Sequence, residues 1–327
     1  MITPLLHPNR TLGRTGLRVT PIGLGGGWLG HRPGDNIIDQ DVGVATVLRA
    51  LELGVNLIDT SPAYGHGESE RIIGIALREW FGRGHPRESV VISTKTGTRP
   101  DCHGDYSARA TRRSVELSLA TLGVDHIDIL HIHDPRDIEP ALQPGGALDA
   151  LKELRARGVI RAIGLGVRNL EFHRRCIETG DFDVSLTYGD YNLLRQDAAA
   201  ELLPLAWSRQ VGVLNGMAVM YGLLGGDDPR QIARQANGRF PPDLVERAYQ
   251  LWQWADGRGI DLLALNLQFC ARRPWVASTL VGASRPAEIE ADARAFAQTV
   301  TPQVWREFDR DFPELIQVSD GCARADL

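Results

Sequence analysis

Short β-branched segments alternate with longer amphipathic segments along almost the whole chain, and this alternation constrains the fold more than any other feature. The apolar run VNLIDT (55–60) precedes ESERIIGIALREWF (68–81), in which Ile72, Ile73 and Ala76 recur at helical spacing. Short apolar strands of this kind are typical of parallel sheets that helices cover on the outside. The pattern therefore predicts repeated β–α units.

Counting VTPIGLG (19–25) as the first strand, the sequence contains eight such units. The six later units have strands at 90–97, 127–134, 159–167, 184–192, 211–219 and 278–283, followed by helices at 107–123, 146–158, 169–180, 198–210, 243–273 and 286–296. Eight units without a linker or compositional break predict one closed (β/α)8 TIM barrel, class α/β, as a single domain over residues 1–327.

Two features are expected to complete this barrel. Residues 1–18 contain LGRTGLRVT, which we expect to form a hairpin that closes the barrel bottom. The connections at 98–106 and at about 219–242 are longer than a barrel requires. Both follow the C-terminal ends of strands, the face on which barrels build their active sites.

Composition excludes several classes of partner. The net charge of −5 and pI near 6.0 provide no basic surface for nucleic acid. No apolar run approaches the length of a membrane span, and the N-terminus lacks the apolar core of a signal peptide. The four cysteines form no C-x-x-C pair, so neither a metal site nor a disulfide framework is expected. We expect a cytoplasmic protein, a monomer or weak homo-oligomer, that acts on a small molecule.

A competing motif lies at residues 25–30, which satisfy the dinucleotide-binding pattern G-x-G-x-x-G. That motif requires a helix at its last glycine, whose N–H groups meet the pyrophosphate. Here Pro33 and Gly34 stand where the helix would begin, and the chain has 35 glycines in all. A Rossmann fold is therefore disfavoured, and we expect the first glycines, including Gly26, to let the strand and its loop pass close to a ligand.

Polar residues at consecutive strand ends indicate chemistry. Asp59 ends the second strand, Tyr64 follows in its loop, and the third and fourth strands end at Lys95 and His133. Lys95 would lower the pKa of Tyr64, Asp59 would keep Lys95 charged, and His133 would donate to a substrate oxygen. His131 faces the same side two residues earlier and is expected to be a core or supporting residue. The set predicts a tyrosine general acid/base that uses no metal.

These residues and the motifs DTSPAYGHGESE, VVISTKTG, DHIDILHIHDP and STLVGASRPAEIEAD resemble the aldo-keto reductase family over nearly the whole chain. The resemblance implies a (β/α)8 barrel, an extended NAD or NADP across its mouth, and the tetrad Asp59, Tyr64, Lys95 and His133. Within the family, the chain resembles the branch of D-threo-aldose 1-dehydrogenases (L-fucose dehydrogenases) and pyridoxal 4-dehydrogenases, because of the altered contacts described next.

Several nicotinamide contacts of the family are altered in this sequence. The usual serine–asparagine pair is lost, and Asn169 is its nearest substitute. Tyr188 replaces the usual glutamine, and Asn215 and Gly216 replace the aromatic residue that usually stacks on the nicotinamide. The resemblance therefore implies a modified nicotinamide site.

At the adenosine end, Gly282, Ser284 and Arg285 precede the eighth helix, whose N-terminus would favour phosphate. Glu288 stands where many NADP-specific relatives have arginine, and Asp292 replaces an adenine-binding asparagine. A carboxylate repels a 2′-phosphate and can accept from a 2′-hydroxyl, whereas Arg285 acts in the opposite direction. We predict a slight preference for NAD.

The substrate pocket is predicted to include Trp28, Tyr64 and His133. The loop residues Asp101, His103, Asp105 and Tyr106 are candidates for recognising substrate hydroxyls. Oxidation of C1 of an aldose to a lactone is the first expectation. Reduction of an aldehyde or ketone, such as a 6-oxo sugar or pyridoxal-like compound, is the second, and a non-catalytic cofactor-binding regulatory subunit is the third.

Overall fold

A computed structural model describes residues 4–7, 9–32, 37–236 and 238–316 of the chain. Eight parallel strands close into a barrel, in which each strand pairs with its neighbours in chain order and the last pairs with the first. The strands are β3 (Ile22–Gly25), β4 (Leu57–Asp59), β5 (Val91–Thr96), β6 (Ile127–His133), β7 (Ile160–Gly166), β8 (Val184–Tyr188), β9 (Gly212–Gly216) and β10 (Val276–Gly282). The predicted fold class is confirmed.

Helices surround this barrel. They are α1 (Gln40–Glu52), α2 (Glu68–Gly82), α3 (Ala108–Leu122), α4 (Glu139–Leu142), α5 (Ala147–Ala156), α6 (Leu170–Thr179), α7 (Asp197–Ala200), α8 (Leu202–Ser208), α9 (Pro229–Gln235), α10 (Pro242–Asp256), α11 (Leu262–Ala271), α12 (Pro286–Ala297) and α13 (Pro302–Asp311). The sequence pattern had not predicted α1 or α13. For α1 the signal was present, because Asp39 caps its N-terminus through the N–H of Val42.

The predicted hairpin is confirmed as strands β1 (Arg10–Thr11) and β2 (Arg18–Val19), which pair antiparallel. Leu12 and Leu17 within it are buried in the same cluster as inward-facing barrel residues such as Leu57 and Val91. The hairpin therefore covers the N-terminal end of the barrel, and the mouth at the opposite end stays available for a ligand.

Strand periodicity separates an apolar lower layer from a polar upper layer inside the barrel. Leu57 and Ile129 belong to the apolar cluster, and Asp59 and His131 follow them by two residues on the same strand face. Lys95 likewise follows Val91 by four residues. Because parallel strands begin at one end of the barrel and finish at the other, these polar side chains gather towards the mouth.

The motif at 25–30 is not a Rossmann fingerprint. Strand β3 ends at Gly25 and a single 3-10 turn follows at Gly26–Trp28, whereas the next helix begins only at Gln40. Pro33 and Gly34 lie outside the described residues. A Cβ on Gly26 would lie 2.5 Å from the Ser69 hydroxyl, so close packing requires glycine there.

The two long connections also have defined structure. The first contains a 3-10 turn at Pro100–Cys102, and the second contains α9. No described helix is both long and apolar enough to cross a membrane. Within the described ranges, no cluster of three or more His, Cys, Asp or Glu side chains could hold a metal ion.

Candidate active site

The centre of the mouth is a buried ion pair between neighbouring strands. Nζ of Lys95 on β5 lies 2.5 Å from Oδ2 of Asp59 at the end of β4, and it donates a second hydrogen bond to the carbonyl of Thr60 at 2.7 Å. Both side chains are almost fully buried. Burial alone would lower the pKa of Lys95, but Asp59 and Tyr64 reverse this effect, so the pKa is raised and the ammonium persists.

The other Asp59 oxygen is part of a buried chain of hydrogen bonds. Ser93 donates from Oγ to Oδ1 of Asp59 at 2.6 Å, and Nε2 of His131 lies 3.1 Å from the same Oγ. His131 is fully buried, and burial followed by the Lys95 charge holds its pKa well below the usual range. The neutral His131 can donate to Ser93, which places it below the tetrad in a supporting position.

Tyr64 lies beside both Lys95 and His133. Nζ of Lys95 is 4.8 Å from the centre of the Tyr64 ring, and the His133 ring lies edge-on to it at 5.9 Å. The sequence reasoning considered only Lys95, which lowers the pKa of Tyr64. Burial raises that pKa by more than Lys95 lowers it, so the net shift is upward. Lys95 therefore offsets only part of the rise that desolvation causes in the Tyr64 pKa, and the predicted net lowering is wrong.

His133 is held by two hydroxyl groups that the sequence reasoning missed. Its Nδ1 lies 2.7 Å from Oγ1 of Thr98 and 3.3 Å from Oγ of Ser61. Burial, and then Lys95, holds the pKa of His133 well below its usual range, so the ring is neutral. A hydroxyl that donates to Nδ1 leaves the proton on Nε2, where it can be donated to a ligand. Thr98 follows β5 closely, but nothing in its local sequence indicates this contact.

Two further side chains extend the site on the His133 side. The Tyr188 hydroxyl donates to Oδ1 of Asp134 at 2.9 Å, so Tyr188 lies at the mouth. The Tyr106 hydroxyl donates to the backbone carbonyl of His133 at 2.7 Å and is buried. Of the other loop candidates, Asp101 pairs with Arg113, Asp105 accepts from the N–H of Ser107, and His103 is exposed.

The residues predicted to contact the nicotinamide lie in different surroundings. Oδ1 of Asn169 accepts from the N–H of Phe172 as the cap of α6. Asn215 is fully buried, and its amide group donates to the carbonyl of Tyr191. Its side chain is therefore not part of the mouth. Gly216 ends β9 beside Tyr188, and a Cβ there would lie 3.0 Å from Cβ of Tyr188.

The predicted adenosine-end residues form one connected group. Oε2 of Glu288 accepts from both the N–H and the hydroxyl of Ser284, at 2.8 and 3.0 Å. Its Oε1 lies 3.0 Å from Nε of Arg285. Glu288, which was expected to disfavour NADP, and Arg285, which was expected to favour it, are therefore paired with each other. The Glu288 carboxylate itself accepts the hydrogen bonds at the start of α12.

Asp292, about one turn after Glu288 on α12, is 7% exposed. Burial, and then the Glu288 carboxylate, raises its pKa from 3.8 to about 7. Between about pH 4 and pH 7, Asp292 keeps a proton in the native state that it releases in the unfolded state. Its contribution to the free energy of unfolding therefore falls as pH rises through this range and is constant above about pH 7. Asp292→Asn is expected to unfold like wild type near pH 4 and to be about 4 kcal/mol more stable at pH 8.

Urea denaturation of wild type and variant at pH 4, 6 and 8 measures this difference. Asp256→Asn, at an exposed position on α10, is the control and should show no such pH-dependent gain. A stability difference between Asp292→Asn and wild type that is the same at all three pH values would contradict the assignment.

A pocket of about 280 Å³ adjoins the mouth at Tyr188. Three guanidinium groups border it, those of Arg168, Arg195 and Arg239, and guanidinium groups suit phosphate oxygens. A larger pocket of about 510 Å³ is bordered by Asp227, Asp256 and Asp261 and shares no lining residue with the first. The donor chemistry of the pocket at Tyr188 therefore fits the pyrophosphate of a dinucleotide, whereas that of the larger, acidic pocket does not.

Elsewhere on the rim, Trp28 is 49% exposed, so it is not a core residue. A Cβ on Gly282, at the end of β10, would lie 3.0 Å from Cδ1 of Trp28, and one on Gly27 would lie 4.0 Å from the Tyr64 ring. Trp28 thus lies at the rim, where an indole can cover a bound molecule.

The mouth of the closed barrel thus combines a Lys–Asp pair, a tyrosine and a neutral histidine, groups that can move a proton to or from a carbonyl or alcohol oxygen. The family model for the aldo/keto reductase family matches residues 21–310. A D-threo-aldose 1-dehydrogenase of a Pseudomonas species is 30% identical over 315 residues, covering 89% of this chain and 94% of the relative. A pyridoxal 4-dehydrogenase of Microbacterium luteolum is 32% identical over 339 residues, covering 90% and 95%.

Among solved structures, an aldo-keto reductase of Bacillus halodurans in its holo form superposes with a TM-score of 0.69 at 23% identity, covering 92% of this chain and 95% of that one. The chain belongs to the aldo/keto reductase family and is an oxidoreductase. Enzymes of this family use a nicotinamide cofactor.

Proposed function

We propose that this enzyme oxidises C1 of an aldose to a lactone with Tyr64 as general acid/base and with NAD as the preferred cofactor. The observation that carries the proposal is the Lys95 ammonium, 2.5 Å from Asp59 and 4.8 Å from the Tyr64 ring at the barrel mouth. Similarity to a D-threo-aldose 1-dehydrogenase supports the substrate class.

The chain's own groups account for the proton and the substrate oxygen. The Tyr64 phenolate takes the proton of the C1 hydroxyl, and the Lys95 charge stabilises that phenolate. Asp59 keeps Lys95 protonated, and Nε2–H of His133 donates to the reacting oxygen. A nicotinamide bound at the mouth would supply the acceptor for the hydride that leaves C1. In the reverse direction, Tyr64 protonates the oxygen.

The proposed cofactor contacts follow from the pocket at Tyr188 and from the group of polar residues at the start of α12. Arg195 and Arg239 would hold the pyrophosphate next to Tyr188, and Ser284 and Glu288 would face the adenosine ribose. These assignments rest on donor chemistry, and the small-molecule substrate follows from membership of the family. A cytoplasmic location also remains a proposal, supported by the free thiols of the described Cys102, Cys176 and Cys270.

Aldehyde reduction is the second candidate, because the tetrad can run in either direction and relatives include an NADH-specific methylglyoxal reductase of Escherichia coli, 31% identical over 293 residues. A panel of aldoses and simple aldehydes, assayed with NAD(H) and NADP(H) by the absorbance of the reduced cofactor, separates the two. We expect aldose oxidation to give the highest kcat/KM. Aldehyde reduction without oxidation of any aldose would contradict the proposal.

Cofactor preference can be tested at Glu288. Its carboxylate accepts from Ser284 and pairs with Arg285, so removing it frees an N–H, a hydroxyl and a guanidinium for a 2′-phosphate. Glu288→Ala is expected to raise the NADP-to-NAD ratio of kcat/KM by about tenfold or more, equivalent to about 1.4 kcal/mol. Glu290→Gln, on the same helix but paired with Arg49, is the control. A wild-type kcat/KM that is tenfold higher with NADP than with NAD would contradict the proposed preference for NAD.

A further inference from the structure

Asp134 stands directly after His133 and contacts both His133 and Tyr188. Its Oδ1 accepts a hydrogen bond from the Tyr188 hydroxyl at 2.9 Å, and its Oδ2 lies 3.5 Å from Nε2 of His133. The Asp134 side chain is 41% exposed, whereas the His133 side chain is 7% exposed. Oδ1 of the carboxylate is therefore engaged by Tyr188, whereas Oδ2 lies beside Nε2 of His133, the atom assigned to the reacting oxygen.

The position of this carboxylate is held by the backbone and by Tyr188. Asp134 adopts φ +42, in the left-handed region that non-glycine residues rarely occupy, and its N–H donates to the carbonyl of Gly166 at 2.9 Å. Burial, and then the Asp134 carboxylate, raises the pKa of Tyr188, so its hydroxyl stays a donor. Rare conformations of this kind concentrate at functional sites.

We propose that Asp134 is a specificity-determining residue, whose Oδ2 accepts a hydrogen bond from a hydroxyl on the carbon next to the reacting carbon. The inference rests on the proposed function, because it takes Nε2 of His133 as the donor to the reacting oxygen. The two oxygens of a vicinal diol or 2-hydroxy carbonyl lie about one hydrogen-bond length apart. They suit a donor and an acceptor atom separated by 3.5 Å.

The chemistry of a carboxylate makes this selection strong. An ionised carboxylate only accepts hydrogen bonds, so a carbonyl compound without the neighbouring hydroxyl covers Oδ2 and leaves it unpaired. Leaving a charged acceptor unsatisfied costs more than losing a neutral contact. Sites built to bind a substrate hydroxyl therefore reject analogues that lack it by large factors. The selected class is 2-hydroxy aldehydes and aldoses with a free C2 hydroxyl.

The test measures kcat/KM for two matched substrate pairs. An aldose and its 2-deoxy analogue report on oxidation, and glycolaldehyde and acetaldehyde report on reduction. The variants are Asp134→Ala, Asp134→Asn, which keeps the size of the side chain if alanine impairs folding, and Tyr188→Phe. Asp137→Asn, at an exposed position in the same loop, is the control.

In wild type and Asp137→Asn, the hydroxylated member of each pair is expected to be favoured by about 100-fold or more. In Asp134→Ala and Asp134→Asn the ratio is expected to fall below about tenfold, with an intermediate ratio in Tyr188→Phe. A wild-type ratio near one, or a ratio unchanged in both Asp134 variants, overturns the inference. An Asp134-dependent preference for glycolaldehyde, in an enzyme that oxidises no aldose, would support the inference and contradict the proposed function.

Discussion

Tyr64→Phe is expected to lower kcat by about 1,000-fold, because positioned acid–base groups typically contribute factors of this order. The substitution removes only the hydroxyl, and it leaves the Lys95–Asp59 pair and the ring that faces His133 in place. Binding of the cofactor, measured by quenching of tryptophan fluorescence, should stay within about twofold of wild type, since the lost group acts on a proton and not on the dinucleotide.

The remote Tyr249→Phe provides a matched control for this prediction. Tyr249 stacks on Arg230 on the surface of α10, so the same change there should leave kcat unaltered. If the Tyr64 variant retains kcat within tenfold of wild type, Tyr64 is not the acid/base. A loss of cofactor binding together with turnover would instead indicate a structural role.

Lys95→Met is expected to lower kcat by about 100-fold or more and to destabilise the protein by about 3–5 kcal/mol. The ammonium that favours the Tyr64 phenolate is lost, so the pKa of Tyr64 rises further and the rise of the oxidation rate with pH moves to higher pH. Stability falls because the buried Asp59 carboxylate keeps Ser93 as a donor but loses its counter-charge.

A double variant separates these two effects. Asp59→Asn combined with Lys95→Met removes both buried charges, so most of the lost stability should return while kcat stays low. Urea denaturation and kcat–pH profiles of the single and double variants measure the two quantities. Recovery of activity along with stability would show that Lys95 acts by maintaining the fold alone, and would contradict its role at Tyr64.

The barrel could be predicted because its signals are local. Strand geometry produces alternation in steps of two, as at Leu57 and Asp59, and helix geometry produces the spacing of Ile72, Ile73 and Ala76. Both patterns can be recognised from residues that are close in the sequence. Helix α1 was missed although Asp39 signals its start, because glycine and proline precede it. The tetrad followed from the barrel, since the ends of parallel strands meet on one face.

Other parts of the site depend on which groups the fold brings near each other. Thr98 and Ser61 hold His133, and neither lies next to it in the chain. Glu288 accepts from Ser284 and pairs with Arg285, although sequence reasoning had treated the glutamate and the arginine as opposing influences on a bound phosphate. These contacts depend on loop paths, which local propensity does not specify.

By itself, the sequence determined the order of eight strand–helix units and the residue types at their ends, because secondary-structure periods are encoded locally. Only the tertiary structure decided how much each group is desolvated and what lies beside it. Burial turned the expected lowering of the Tyr64 pKa into a rise, and enclosed Asn215 away from the mouth. The tertiary structure also gave Asp134 a left-handed backbone and placed its carboxylate 3.5 Å from His133. Desolvation and proximity are properties of packing, and packing joins residues that are distant in the chain.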